Sequence, residues 1–68
     1  MAALRYWRLV NLGVITLHKS VVCQSGPDTL YGKIAYIREA ELGVEILSVV
    51  RRFVRYGKEW AWEEQIHG

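Results

Sequence analysis

Residues 4–17 read LRYWRLVNLGVITL, and thirty positions later residues 34–47 read IAYIREAELGVEIL. Tyr, Arg, Leu, Gly, Val and Leu coincide in the two segments. The likeness continues in Ser20-Val21-Val22 against Ser48-Val49-Val50 and in Tyr31-Gly32-Lys33 against Tyr56-Gly57-Lys58, twelve identities altogether. An internal repeat constrains a short chain strongly, because each unit must find cover for its apolar face on the other. The pattern predicts repeat units of about 4–33 and 34–58 inside a single small domain, residues 1–68.

The repeat also separates strand from helix. Alignment requires that the second unit drop two residues, at the place where the first has His18-Lys19. Side chains of a strand alternate with period two, so a two-residue deletion leaves every later side chain on its former face; a helix would be turned by about 200°. A further three residues are dropped opposite the stretch 23–29, where Gly26, Pro27, Asp28 and Ser25 favour a turn.

Residues 40–55 read alternatively as a helix. Leu42, Ile46, Val49, Val50 and Phe53 would share one face, with Glu41, Glu45, Ser48, Arg52 and Arg55 opposite. Acidic residues early and basic residues late suit the macrodipole, and Gly57 would follow the last turn. Within this reading, 40–44 and 50–57 resemble a helix-turn-helix of the MerR or excisionase type, with a spacing one residue different on each side of Gly43. That resemblance implies Arg51, Arg52 and Arg55 facing DNA. Against a helix stand the β-branched Val44, Ile46, Val49, Val50 and Val54, whose stiffness suits a pleated surface, and Gly43 in mid-segment.

The strand reading predicts three-residue hairpin loops at Asn11-Leu12-Gly13 and Glu41-Leu42-Gly43, pairing Trp7 with Leu17, Leu9 with Ile15 and Ile37 with Leu47. It sets Glu39 opposite Glu45, which is unfavourable. A type II′ turn at Gly57-Lys58 would oppose Arg55 to Trp60, Phe53 to Trp62, Arg52 to Glu63 and Arg51 to Glu64, all favourable in type. The expected fold is all-β, a small antiparallel meander or barrel of about five strands near 4–10, 14–24, 30–40, 44–56 and 59–66. The alternative is α+β with one helix near 39–56. Closure, or completion by a second chain, would protect the sheet edges.

Size sharpens the need for a partner. A 68-residue chain buries about 60% of the surface its unfolded form exposes. Yet 51% of these residues are hydrophobic and eight are aromatic. Oligomerisation or docking is the natural outlet. The single Cys23 cannot form an intrachain disulfide, which fits an intracellular, cytoplasmic location. The longest nearly apolar run, 9–17, is too short to span a bilayer. The first 27 residues lack Asp and Glu, as mitochondrial presequences do, but Trp7, Leu9, Val14 and Ile15 fit a structured segment better.

Chemistry-bearing patterns are sparse. His18 and Cys23 lack a third, orienting group, and His18, Cys23 and His67 lack the close paired spacings of zinc ligands. Glu63 and Glu64 read as salt partners, and Gly26, Gly32, Gly43 and Gly57 are isolated rather than grouped in a phosphate loop. No enzymatic activity, cofactor or metal is expected. The strongest signal is arginine interleaved with aromatics, which makes Arg5, Trp7, Arg8, Arg51, Arg52, Arg55, Lys58 and Trp60 the candidate binding surface. The expected function is a non-enzymatic interaction or structural module, oligomeric or part of a larger assembly. Nucleic acid is the alternative partner, bases stacking on rings while arginines neutralise phosphates. The net charge of +2 is modest for that role.

Overall fold

The structure, a computed structural model, describes residues 2–67. Six strands follow one another without a helix among the described residues: β1 (Ala2–Val10), β2 (Ser20–Ser25), β3 (Asp28–Arg38), β4 (Glu41–Ile46), β5 (Val49–Tyr56) and β6 (Glu59–His67). Each pairs antiparallel with the next, and β6 returns to β1, closing a small barrel. The all-β reading therefore holds, with six strands in place of about five, and the helix near 39–56 and its helix-turn-helix are excluded. No helix among the described residues is long and apolar enough to cross a membrane.

The extra strand comes from a turn that the residues do not announce. Leu47 and Ser48 divide the expected strand 44–56, with φ of 51° and 67°. Positive φ at both central residues is the type I′ pattern, whose usual occupants are Asn and Gly. Gly26-Pro27 and Gly57-Lys58 are easier turns, since in each the positive φ falls on the glycine (56° and 58°) and not on its successor, as in type II′.

The second expected loop is displaced. Glu41-Leu42-Gly43 lies within β4, and Glu39-Ala40 forms the turn. Charge accounts for the displacement: the observed register sets Lys33 opposite Glu45 and Arg38 opposite Glu41, where the expected one set Glu39 against Glu45. Ile37 consequently faces Leu42 rather than Leu47.

The first expected hairpin is absent, and residues 11–19 are a loop. Leu9 faces Cys23 instead of Ile15. Leu12 and Ile15 leave the sheet and pack against the core, closing one end of the barrel. The Lys19 ammonium ties this plug by donating to the carbonyls of Leu12 and Val14, the latter at 2.6 Å. Two backbone hydrogen bonds between the loop's end and Ile34 fasten it to β3, at 2.8 and 3.0 Å.

Alternation along the strands makes the core. Trp7 and Leu9, Val21 and Cys23, Ile34, then Leu42, Val44 and Ile46, Phe53, and finally Trp60 and Trp62 all point inward. Four strands, β1, β3, β5 and β6, divide their length between their two neighbours. β1 pairs with β6 through residues 2–8 and with β2 through 8–10, while β3 pairs with β2 through 28–33 and with β4 through 33–38. At the hand-over in β3, Gly32 comes so close to β4 that a Cβ would sit 2.6 Å from the Glu45 carbonyl oxygen. A bulge follows between Ile34 and Tyr36. Both devices bend the strand, which a barrel of six requires.

Candidate binding site at the open end of the barrel

The plug closes the end where β1 stops and β2 starts. At the other end lie the starts of β1, β3 and β5 and the ends of β2, β4 and β6. The inward-facing residues there are polar as well as aromatic, because the interior pattern continues past the apolar core. A cavity of about 500 Å³ opens between Arg5, Trp7, Trp62 and Glu64 on one side and Leu30, Ile46, Val49 and Arg51 on the other.

Two tryptophans form its floor. Trp7 and Trp62 face each other across the β1–β6 ladder, with ring centroids 6.2 Å apart and planes 19° from parallel. Each carries a guanidinium, Arg5 at 4.5 Å from the Trp7 centroid and Arg51 at 4.8 Å from that of Trp62. The Trp7 indole N–H donates to a Glu64 carboxylate oxygen at 3.0 Å. Arg5 donates to the Ser25 hydroxyl at 3.1 Å and forms an ion pair with Asp28. Arg51 has neither an ion pair nor a side-chain hydrogen bond among the described residues. An arginine carries five N–H donors, so this one has its whole hydrogen-bonding capacity available.

A seam opens the barrel wall beside this cavity. β5 and β6 pair at Tyr56–Glu59, Arg55–Trp60 and Val54–Ala61, and there the ladder ends. Beyond it β6 follows β1, through seven paired positions from Arg8–Ala61 to Ala2–His67. β5 stays with β4 as far as Ile46–Val49. Backbone groups in a strand point alternately to either side. In the two-residue hairpin at Leu47-Ser48, Val49 bonds to β4; Arg51 and Phe53 therefore do the same, as Arg55 N–H does to the Ala40 carbonyl at 3.3 Å. Val50 and Arg52 thus direct N–H and C=O into the seam, and Glu63 and Gln65 do so from β6. These four residues have no ladder partner on that side among the described residues.

The eight residues of the interleaved pattern are distributed around the molecule. Arg5, Trp7 and Arg51 meet at the open end. Arg55 and Trp60 are opposite each other as expected, the guanidinium 5.7 Å from the ring, but at the plugged end. Arg8 points outward, 3.5 Å from Glu59, and Lys58 lies in the last turn. Arg52 is outside as well, and its partner is Glu41 at 2.8 Å instead of the expected Glu63. Trp7, Trp60 and Trp62 are 3%, 8% and 9% exposed, so their faces are committed to the interior. Trp62, Glu64 and Asp28 are site residues that the interleaving pattern passed over. Alternation could have found the first two, since they share the face of Trp60 at spacings of two.

Two further clusters carry titratable groups. Tyr36 lies outside β3 across from Gly43, donates its hydroxyl to Glu41, and has Arg38 4.6 Å from its ring centroid. The hydrogen bond from Tyr36 and that from Arg52 hold the Glu41 carboxyl below its ordinary range, and the same bond raises the Tyr36 phenol. Cys23 is fully buried, and desolvation pushes its thiol up to about 11. Such a thiol stays protonated and unreactive near neutrality. His18 is exposed on the plug loop. Among the described residues no three His, Cys, Asp or Glu side chains cluster as metal ligands would.

Comparison with known proteins adds no relative: the chain matches no family model, no curated protein and no solved structure.

Proposed function

We propose that the protein is a non-enzymatic interaction module that works in an assembly, engaging its partner through the open end of the barrel. The observation that carries this reading is the seam. It presents unpaired strand edges beside an open cavity, which in a free protein invite pairing with another chain. Exposed apolar side chains adjoin it: Leu47 is 84% exposed at the cavity rim, with Val49 and Val50 following at 45% and 48%. The backbone strain at Leu47 adds to the case, since a left-handed leucine costs of order 1–3 kcal/mol and persists where function or context holds it. Light scattering at micromolar concentration, with a dye that reports exposed apolar surface, tests the reading. Self-association or dye binding supports it; a monodisperse monomer that binds no dye overturns it.

A second reading, nucleic-acid binding, is favoured by one feature. On the outer face of the β5–β6 fork, a groove is lined by Arg52, Val54, Tyr56, Ala61 and Glu63, and Tyr56 is 59% exposed. An exposed ring beside an arginine suits a stacked base. Oligonucleotide affinity that falls steeply with salt would support it, and no binding at about 50 mM salt would sink it.

A further inference from the structure

We infer that the partner seated at the seam is a second copy of this chain, the free edge of β5 in each copy pairing with the free edge of β6 in the other. The inference rests on the interaction-module reading and names its partner. Three observations lead to it. First, both edges needed for such a pairing are present in one chain. Val50 and Arg52 offer N–H and C=O from β5, and Glu63 and Gln65 offer them from β6. Second, the edges are opposite in charge, Arg51 and Arg52 on one and Glu63 and Glu64 on the other. Third, one register satisfies everything at once. Continuing the alignment begun at Val54–Ala61 sets Arg52 opposite Glu63, Arg51 opposite Glu64 and Val50 opposite Gln65.

Within one chain these pairs are not made. β6 is drawn away by β1, through the Trp7–Trp62 stack and the hydrogen bond from Trp7 to Glu64, before it can continue along β5. The pairing that residue types favour is left open by the monomer's own packing. A second copy supplies it through the β6 edge that its own β1 does not use. Reciprocity makes the arrangement two-fold and closed, the commonest form of a homodimer. Pairing of β5 with β5 would instead oppose arginine to arginine and is disfavoured.

The test is charge exchange between copies. Arg51→Glu/Arg52→Glu gives a chain acidic on both edges, and Glu63→Arg/Glu64→Arg one basic on both. The wild type, at roughly 10 to 100 µM, should show twice the chain mass of 7.9 kDa by light scattering. Each variant alone should show one chain mass, and an equimolar mixture should recover the dimer, since both edge pairs become complementary again. Arg52 also pairs with Glu41 and Glu64 with Trp7, so these variants are checked for folding by circular dichroism and melting.

Val50→Pro and Gln65→Pro decide the matter independently. Each removes an N–H that points into the seam and takes no part in a ladder of the single chain, so both should fold and remain monomeric. A wild type of one chain mass, a mixture of charge variants that stays monomeric while folded, or proline variants that dimerise like the wild type would each overturn the inference. So would failure of both proline variants to fold. Self-association that survives all the substitutions, or a monomer that binds the apolar dye, removes this inference and leaves the interaction-module reading standing.

Discussion

Gly43 has the most crowded surroundings of the described glycines. A Cβ there would lie 2.1 Å from two carbons of the Tyr36 ring, which covers the bare backbone from the neighbouring strand. Gly43 does not adopt a positive φ, so alanine would suit its backbone and even gain from lower chain entropy. Sterics decide the sign. The ring must swing away and surrender its hydrogen bond to Glu41, so Gly43→Ala is expected to destabilise the fold by about 1–3 kcal/mol in urea unfolding. The effect should shrink in a Tyr36→Ala background, where the obstacle is gone.

The same cluster makes stability depend on pH at both limits. Glu41 is held below its ordinary range, so the folded state binds fewer protons there than the unfolded chain. Its contribution is complete above about pH 4.3, the ordinary glutamate value, and is lost as pH falls through the lowered folded value. Tyr36 is raised, so its contribution is complete below about pH 10 and is lost as pH climbs through the folded value. Glu41→Gln should flatten the acid limb of a stability profile between roughly pH 2 and 6. An unchanged acid limb would assign that limb to other carboxylates.

At the scale of elements, strands were legible where residue type and spacing agreed. β1, β2 and β6 follow the alternation of Trp7 with Leu9, Val21 with Cys23, and Trp60 with Trp62, and the turns at Gly26-Pro27 and Gly57-Lys58 carry glycine where φ is positive. Residues matched by the repeat nevertheless take unlike places: Gly13 lies in the plug loop and Gly43 in β4, Gly32 in mid-strand and Gly57 in a turn. Leu47-Ser48 was illegible because its conformation opposes the preference of its residues. Leu12 and Ile15 were misread because apolar side chains in a plug and in a strand look alike over so short a run.

The elements also differ in how their amides should exchange. In dilute solution, the amides of Val54 and Tyr56, bonded to β6, and of Arg51 and Phe53, bonded to β4, are expected to be protected. Those of Val50, Arg52, Glu63 and Gln65 should exchange markedly faster, although they sit in the same strands. Uniform protection along 49–56 in a dilute monomer would mean that the seam is closed by a continuous ladder.

For the molecule as a whole, closure depends on a few large side chains. Trp62 packs against Trp7 and Phe53, with ring centroids 6.2 and 6.0 Å apart, and under the Arg51 guanidinium, so it joins the β1–β6 ribbon to β5 where no ladder does. Trp62→Ala should cost about 3–5 kcal/mol. For 68 residues the entire stability is of order 3–10 kcal/mol. Loss of a cooperative thermal transition is the expected outcome; a sharp melt within a few degrees of the wild type would show that the ribbon is held by other means.

What the residues determined by themselves was local: period-two burial, β-branched strands, glycine turns and hence an all-β chain too apolar for its length. These follow from the stereochemistry of each residue and its near neighbours, which a linear sequence contains. Tertiary structure alone decided where β6 goes. Arg51 and Arg52 match Glu63 and Glu64 in type, and neighbour preferences alone would zip β5 to β6 throughout. Residues more than fifty positions away, Arg5 and Trp7, compete for the same strand and win it, because stacking and burial of two tryptophans outweigh ion pairs made near water. The open seam, with the candidate site beside it, is the result of that competition.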